Sequence, residues 1–302
     1  MVEKKVILII GGSSFVANSF IRYHKGNYSI QTVSRTKTEY HNEVIITDFG
    51  DIPNDLFEKA DIVINCAAVV HQQKSTPTET YHQINYELAL SLGRKAKASG
   101  VKFFVQLSSI SVYGGYSFID ESTIEKPSND YGKSKLLADK HLLKLASNNF
   151  VIIIMRAPMV YGGIGAKGNM IRLVHLVNKG FPLPFKNALN KRTFIHIRNL
   201  IGYIEAAILN KQTNIYLVGD SKSTSTKDLV ELIANKLNTK LKLITFPNWI
   251  VSLLIKIKPN IFEKLYGTLI VDTKFSSKTL NYYPNYSIED GIEEMINNLK
   301  TN

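Results

Sequence analysis

The chain has 302 residues, 44% of them hydrophobic and 21% charged, an ordinary globular composition that excludes a disordered tail protein, a collagen-like fibre and a disulfide miniprotein. Its 37 Lys and Arg against 25 Asp and Glu leave a net charge of +12, which favours anionic partners without choosing among nucleic acid, membrane and phosphorylated metabolites. The single cysteine, Cys66, excludes an internal disulfide, and no apolar run approaches the ~18 residues that span a bilayer. The opening MVEKKVILII lacks a cleavable signal pattern, so the expectation is a cytoplasmic protein with no transmembrane segment.

In chain order, short apolar runs alternate with helical periods. Strands are predicted at Val6–Ile10, Ile30–Ser34, Val44–Thr47, Ile62–Ala67, Phe103–Leu107 and Val151–Arg156. Most are continuous Val/Ile/Phe runs, as expected for strands buried on both faces of a parallel sheet. Helical periods occupy Phe15–His24, Thr78–Ser99 and Tyr131–Ser147. Such alternation predicts an α/β fold, a Rossmann-like doubly wound parallel sheet. After Arg156 the pattern changes. Pro158 and the glycines at 162, 163, 165 and 168 break the chain before a helix at Asn169–Lys179, the turn PLPFKN and a strand candidate, RTFIHI. A helix-strand unit at Asn199–Leu209 and Asn214–Val218 is placed to return to the main sheet, and helices near Lys227–Leu237 and Ser287–Leu299 flank the remainder. The expected division is a Rossmann domain over 1–165 and a smaller, interleaved C-terminal domain over 166–302, with part of 193–220 returning to the Rossmann sheet.

The first strand runs into GGSSFVA and then an amphipathic helix. A glycine turn opening a helix after a buried strand sets backbone N–H groups and the positive helix end against a pyrophosphate. Gly11, Gly12, Ser13, Ser14, Phe15 and Val16 are the candidates, although Ser14 and Ala17 stand where the second and third fingerprint glycines belong. The same residues also suit a plain strand-helix turn. The second strand ends in Ser34-Arg35, where NAD sites tend to carry an acid and an arginine accommodates a 2′-phosphate. Arg35 thus leans toward NADP, or is an exposed arginine of no consequence. Asp48, with Phe49 beside it, either meets the adenine or begins a turn.

The segments LSSISVYGG and SNDYGKSK carry the chemistry. Of the 15 tyrosines only Tyr131 has a lysine four residues later, Lys135, and on a helix the two share a face. A phenol of pKa about 10 needs its anion stabilised to act as a base near neutrality. A neighbouring ammonium supplies that stabilisation. The serine cluster follows a buried strand, where a parallel sheet presents its ligands.

On these segments, together with VINCAA, INYELA, MRAPMVYG, KGNMIRLV, KRTFIHIRNL and YGTLIVD, the chain resembles the extended short-chain dehydrogenase/reductases, the nucleotide-sugar epimerases, dehydratases and reductases. The resemblance implies Ser109 as the catalytic serine, Tyr131 as the acid/base, Lys135 as its partner and Asn85 as a brace. It places Ala67, Ala68 and Pro158 beside the cofactor, NADP or NAD, with NADP favoured. It further implies substrate contacts from Ser109, Ser111, Asn169, Phe185, Arg192 and Asp272. The Asp-Glu pair of the 4,6-dehydratases is replaced by Ile110 and Ser111, which argues against dehydration.

The expected activity is oxidation-reduction at carbon 4 of a nucleotide diphosphate sugar, a UDP-N-acetylhexosamine derivative being favoured. A 4-keto-sugar reductase of surface-polysaccharide synthesis is preferred to a UDP-sugar 4-epimerase, and a non-enzymatic NADP(H)-binding regulator is the remote alternative. A homodimer is expected, paired through the helices at 78–99 and 131–147. The seven histidines show no metal spacing, and there is no nucleic-acid-binding motif. The apolar-basic NWIVSLLIKIKP around Trp249 reads as a buried helix or a membrane-surface segment.

Overall fold

The computed structural model describes residues 4–300 apart from 25, 39, 41, 71–75, 167, 248–255 and 258, so most of the Trp249 stretch lies outside the described residues. The chain opens with β1 (Val6–Ile10), α1 (Phe15–His24), β2 (Ser29–Ser34), β3 (Glu43–Ile45), α2 (Asn54–Glu58) and β4 (Ile62–Asn65). A long helical run follows as α3 (Thr78–Tyr81), a π-helical stretch at His82–Leu88 and α4 (Ala89–Ala98). Next come β5 (Phe103–Ser109), β6 (Phe118–Ile119), α5 (Asp130–Leu143), β7 (Val151–Ala157) and β8 (Val160–Tyr161). The rest comprises α6 (Asn169–Asn178), β9 (Ile195–His196), α7 (Ile197–Asn210), β10 (Asn214–Leu217), α8 (Thr226–Leu237), α9 (Pro259–Tyr266), β11 (Ile270–Val271), α10 (Lys274–Leu280) and α11 (Ile288–Lys300).

Seven strands form one sheet in the order β10-β7-β5-β4-β1-β2-β3, and every pairing in it is parallel. The chain steps outward from β1 to β3, then returns to β4 on the other side of β1. That reversal opens a crevice beyond the carboxyl ends of β1 and β4, the ligand position of a doubly wound sheet. The continuous apolar runs divide by alternate residues. Ile7, Ile9, Ile64, Val105 and Met155 pack on one face with α1 and α7, and Leu8, Ile10, Val63, Phe104 and Ile154 on the other with α4 and α5. A separate apolar cluster joins α6, α8 and α11 through Met170, Val174, Leu229, Ile233, Ile292 and Met295. Among the described residues no helix is long and apolar enough to cross a membrane.

Several elements differ from the sequence reading, among them α5, which spans Asp130–Leu143 instead of Tyr131–Ser147. The helix expected over 78–99 contains a π-helical stretch at His82–Leu88, an i→i+5 departure that an apolar pattern read at the α-helical period does not show. The strand expected from RTFIHI shrinks to Ile195–His196, paired with β8, while Arg192 makes isolated bridges to Thr224 and Leu269. The third strand covers Glu43–Ile45 instead of Val44–Thr47, because the chain turns into a 3₁₀ segment at Phe49–Asp51.

Candidate active site

At the end of β1 the chain turns through Gly11 at φ +84°, a left-handed conformation that favours glycine. An added Cβ would stand 2.7 Å from the Ala67 nitrogen at the end of β4, so the turn can lie against β4 only without a side chain. The N–H groups of Gly11 and Gly12 both donate to Val33 O, at 2.8 and 3.0 Å, and pin the turn to β2. Ser14 takes over as a helix cap, its Oγ accepting from Ala17 N at 3.2 Å. Ser13, Phe15 and Val16 occupy the turn and first helical residues, where N–H groups have no intrahelical acceptor. This cradle fits the pyrophosphate of a dinucleotide.

At the end of β2, Ser34 is fully buried, and its Oγ lies 2.7 Å from Glu43 Oε1 and 2.6 Å from Thr36 O, with its single proton donated to one or the other. Glu43 Oε2 also accepts from Thr38 N at 2.8 Å, and these hydrogen bonds hold its carboxyl below the usual range against the opposing effect of burial. Arg35 is exposed and lies 5.4 Å from the centre of the Phe49 ring. The Asp48 carboxylate accepts from Gly50 N at 2.7 Å, so its side chain serves the turn. Ala67 is buried and Ala68 exposed where the chain leaves β4.

The candidate reacting end is built by β5, β7 and α5. Ser109 ends β5, paired in register with Ala157, so Pro158 follows immediately on the neighbouring strand. The Ser109 Oγ accepts from Ser111 N and donates to Ser111 Oγ, both at 3.1 Å, which fixes the start of the 3₁₀ turn Ile110–Tyr113. Helix α5 begins here because Asn129 caps it, accepting from Gly132 N at 2.8 Å. Tyr131 sits in its first turn, edge-on to Tyr81 at 6.2 Å. Burial pushes the Tyr131 phenol up to about 12, while the facing Ser109 hydroxyl pulls it back. Lys135 is 2% exposed and donates from Nζ to Leu107 O at 2.8 Å. Burial lowers its ammonium to about 8, opposed chiefly by Asp139. Asn85, in the π-helical stretch, accepts from Val69 N at 2.8 Å and donates to Ser134 Oγ at 3.2 Å. Ser134 in turn donates to the Tyr131 carbonyl at 2.9 Å. Asn85 therefore ties the β4 exit loop to the backbone that carries Tyr131.

The remaining candidates are dispersed. Asn169 is exposed at the first turn of α6, and Ser111 keeps its hydroxyl beside Ser109. Phe185 is 3% exposed, packed against Tyr266 at 5.9 Å. Arg192 is partly buried, its Nη1 donating to the carbonyls of Glu263 at 3.1 Å and Gly267 at 2.9 Å, at the end of α9. Asp272 accepts from Lys274 N at 2.9 Å and helps line a cavity of about 300 Å³ with Tyr113, Glu125 and Arg156. Sequence reasoning passed over Ser108, Asp139 and Arg156, a buried polar group directly behind Lys135. The signal available was Asp139, four residues beyond Lys135 on the same helix face. Among the described residues no cluster of metal-ligating side chains occurs.

Comparison with known proteins shows the family and the fold. A UDP-glucose 4-epimerase of Vibrio cholerae is 30% identical over 96% of this chain and 94% of its own. An N-acetyl-alpha-D-glucosaminyl-diphospho-ditrans,octacis-undecaprenol 4-epimerase of Escherichia coli O157:H7 is 24% identical over 80% of this chain and 75% of its own. The fold is shared with a solved UDP-glucuronic acid 4-epimerase of Bacillus cereus in complex with NAD, at TM-score 0.79 and 20% identity, covering 98% and 97% of the two chains. The model of the NAD dependent epimerase/dehydratase family matches residues 7–219, from β1 through the end of β10. The chain is an enzyme belonging to the NAD dependent epimerase/dehydratase family.

Proposed function

We propose that the protein is a UDP-sugar 4-epimerase that keeps its NAD through the cycle and works as a cytoplasmic homodimer. The observation that carries this reading is the near end-to-end similarity to the Vibrio cholerae UDP-glucose 4-epimerase. The reductase preference rested on Arg35 and on the loosened glycine fingerprint. Against it, Glu43 sets a carboxylate 2.7 Å from Ser34 Oγ at the end of β2, where a doubly wound fold meets the adenosine ribose. An anion there disfavours a 2′-phosphate and favours NAD. For the dimer, α4 and α5 would pair across a twofold axis, with Leu137 exposed on α5.

In the proposed reaction Tyr131 takes the proton of the sugar 4-hydroxyl while Ser109 donates a hydrogen bond to the same oxygen. NAD, held at the Gly11–Val16 turn, would supply the acceptor and later the donor of the carbon-bound hydrogen and would bring positive charge to the site. With its phenol held up to about 12 by burial, Tyr131 loses its proton only under such positive charge, part of it from Lys135. In the second half Tyr131 returns the proton to the carbon-4 oxygen. Inversion requires the hydrogen to return to the other face of the same carbon, so the site must grip the nucleotide diphosphate and leave the hexose free to turn. Arg192 and Asn169 are assigned to that grip, and the cation and side-chain amide suit an anionic diphosphate.

The test is direct. The purified protein should carry NAD identifiable by mass spectrometry and interconvert UDP-glucose with its 4-epimer, or the N-acetylated pair, without added cofactor. Stoichiometric consumption of added NADPH with a UDP-4-keto sugar would overturn the epimerase reading and restore the reductase.

A further inference from the structure

We propose that Asp139 is a positioning residue that keeps Lys135 protonated and thereby sets the upper pH limit of the Tyr131–Lys135 pair. The inference deepens the function proposed above and rests on Tyr131 and Lys135 handling the proton.

Tyr131, Lys135 and Asp139 follow one another at four-residue steps along one face of α5. Asp139 is fully buried and Lys135 is 2% exposed. Behind them charges alternate outward to solvent. Asp139 Oδ2 accepts from Arg156 Nε at 3.0 Å and from Ser108 Oγ at 2.9 Å. Arg156, 2% exposed, reaches Glu125 Oε1 at 3.1 Å, donates to Tyr113 Oη at 2.7 Å and lies 5.1 Å from the Tyr113 ring centre. Glu125 in turn stands 4.0 Å from the exposed Lys140 ammonium.

Asp139 must be ionised for this role, and the hydrogen bonds require it. Oδ2 already accepts two of them, so a proton would sit on Oδ1, which has no hydrogen-bond partner among the described residues. A neutral acid would thus bury an unsatisfied O–H and leave Arg156 short of a counter-charge. Burial holds the carboxyl above its usual range, while Arg156, Ser108 and Lys135 pull it back toward ionisation. With Oδ2 committed, Oδ1 brings negative charge to the helix face that holds Lys135.

The other groups around the pair do not supply that charge. The Cys66 thiol from the end of β4 is pushed up to about 12 by burial and stays neutral. The Tyr113 phenol is raised by burial, and Tyr81 meets Tyr131 only edge-on. The Leu107 carbonyl accepts from Lys135 but carries no net charge. Lys140 and Glu125 lie at the solvent end of the ladder, and Arg156 is repulsive toward Lys135. Asp139 is therefore the anion that opposes burial at Lys135, whose ammonium stands at about 8 with Asp139 in place.

The experiment reads Lys135 directly. NMR of protein labelled with ¹³C at lysine Cε follows its titration in the holoenzyme, with the signal assigned by Lys135→Arg, and the kcat profile for UDP-glucose is measured alongside. Removing the anion favours the neutral amine, so Asp139→Asn should move the Lys135 midpoint, and the alkaline limb of kcat, to lower pH by ~1 unit, a tenfold loss of proton affinity. Asp139→Glu keeps the charge and should restore both. If Asp139→Asn strands Arg156 and does not fold, the pair variant Asp139→Asn/Arg156→Gln removes both charges, and its Lys135 midpoint should still fall. A folded variant with an unmoved midpoint, or with kcat lowered equally at every pH, makes the role structural and overturns the proposal. A wild-type protein inactive on UDP-sugars whose Lys135 midpoint falls in Asp139→Asn overturns the epimerase reading and leaves the control of Lys135 standing.

Discussion

Replacing Gly132 by Ala tests whether the contact between α5 and the serine turn sets the distance at which Tyr131 and Ser109 work. Gly132 follows Tyr131 in the first turn of α5, and an added Cβ would lie 2.4 Å from Ser111 O and 3.1 Å from Ser111 C and Pro127 Cβ. The nearest obstacle is a backbone oxygen, which cannot swing away as the end of a side chain can. Reaching even a tight 3.0 Å needs a retreat of about 0.6 Å. Ser111 is tied to Ser109 by two hydrogen bonds, so the displacement passes to the Ser109 hydroxyl, to which the proposed reaction gives the carbon-4 oxygen. Two terms oppose each other in stability: overpacking costs ~1–3 kcal/mol, and alanine gains up to ~1 kcal/mol over glycine in a helix. The expected outcome is a net loss of ~0–2 kcal/mol, seen as a drop of a few degrees in Tm. Turnover should suffer more, because a misplacement near 1 Å costs up to ~100-fold and this one falls somewhat short of that, giving ~10–100-fold in kcat. NAD content should stay near wild type, since the Gly11 turn lies on another loop. A variant with wild-type Tm and kcat within about twofold would refute the argument.

Tyr131→Phe should fold and retain cofactor yet lose at least ~100-fold in kcat, and near-normal turnover would remove it as the acid/base. Arg192→Ala should weaken UDP-sugar binding by ~1.5–3 kcal/mol in calorimetry and also lower Tm, because its Nη1 serves the carbonyls of Glu263 and Gly267. A fall in Tm with unchanged affinity would leave it a helix cap alone. Glu43→Gln should narrow the preference for NAD over NADP by ~10-fold or more, measured by competition for the cofactor-stripped protein, since it removes an anion from the end of β2. An unchanged ratio would release Glu43 from any part in cofactor choice.

The central sheet was legible because its strands are buried on both faces. Val6–Ile10, Phe103–Leu107 and Val151–Arg156 are apolar without alternation, and that pattern together with the helical periods between them leaves few architectures open. Helix α5 starts at Asp130, one residue before the expected Tyr131, because the Asn129 side chain caps it by accepting from Gly132 N. What the sequence concealed was set by contacts between distant segments. RTFIHI has the composition of a strand, but its neighbours at 224 and 269 meet it at Arg192 only as single bridges. The π-helical stretch adds its residue where Asn85 must reach both Val69 and Ser134, a requirement that appears only once α5 and the β4 exit loop are in place.

The site shows the same division. The neighbourhood of Ser109, Tyr131 and Lys135 was legible because their spacing is short, and the structure brings the three to the ends of β5 and α5. Arg192 was read as a ligand for an anion, yet nothing local foretells that its Nη1 also closes the end of α9, more than sixty residues away. Arg156 was read as the last residue of a strand. Its buried charge makes sense only beside Asp139, Glu125 and Tyr113, which come from three other segments. A lone arginine at the end of a central strand would strand a charge in a dry interior, so it demands a partner on a packed helix. Of the acidic residues on α5, Asp139 alone lies on the buried face, eight residues after Tyr131. Read together, the sequence positions of Arg156 and Asp139 therefore imply each other, and with Lys135 between Asp139 and Tyr131 they imply that the pair proposed to handle the proton sits on charges of alternating sign.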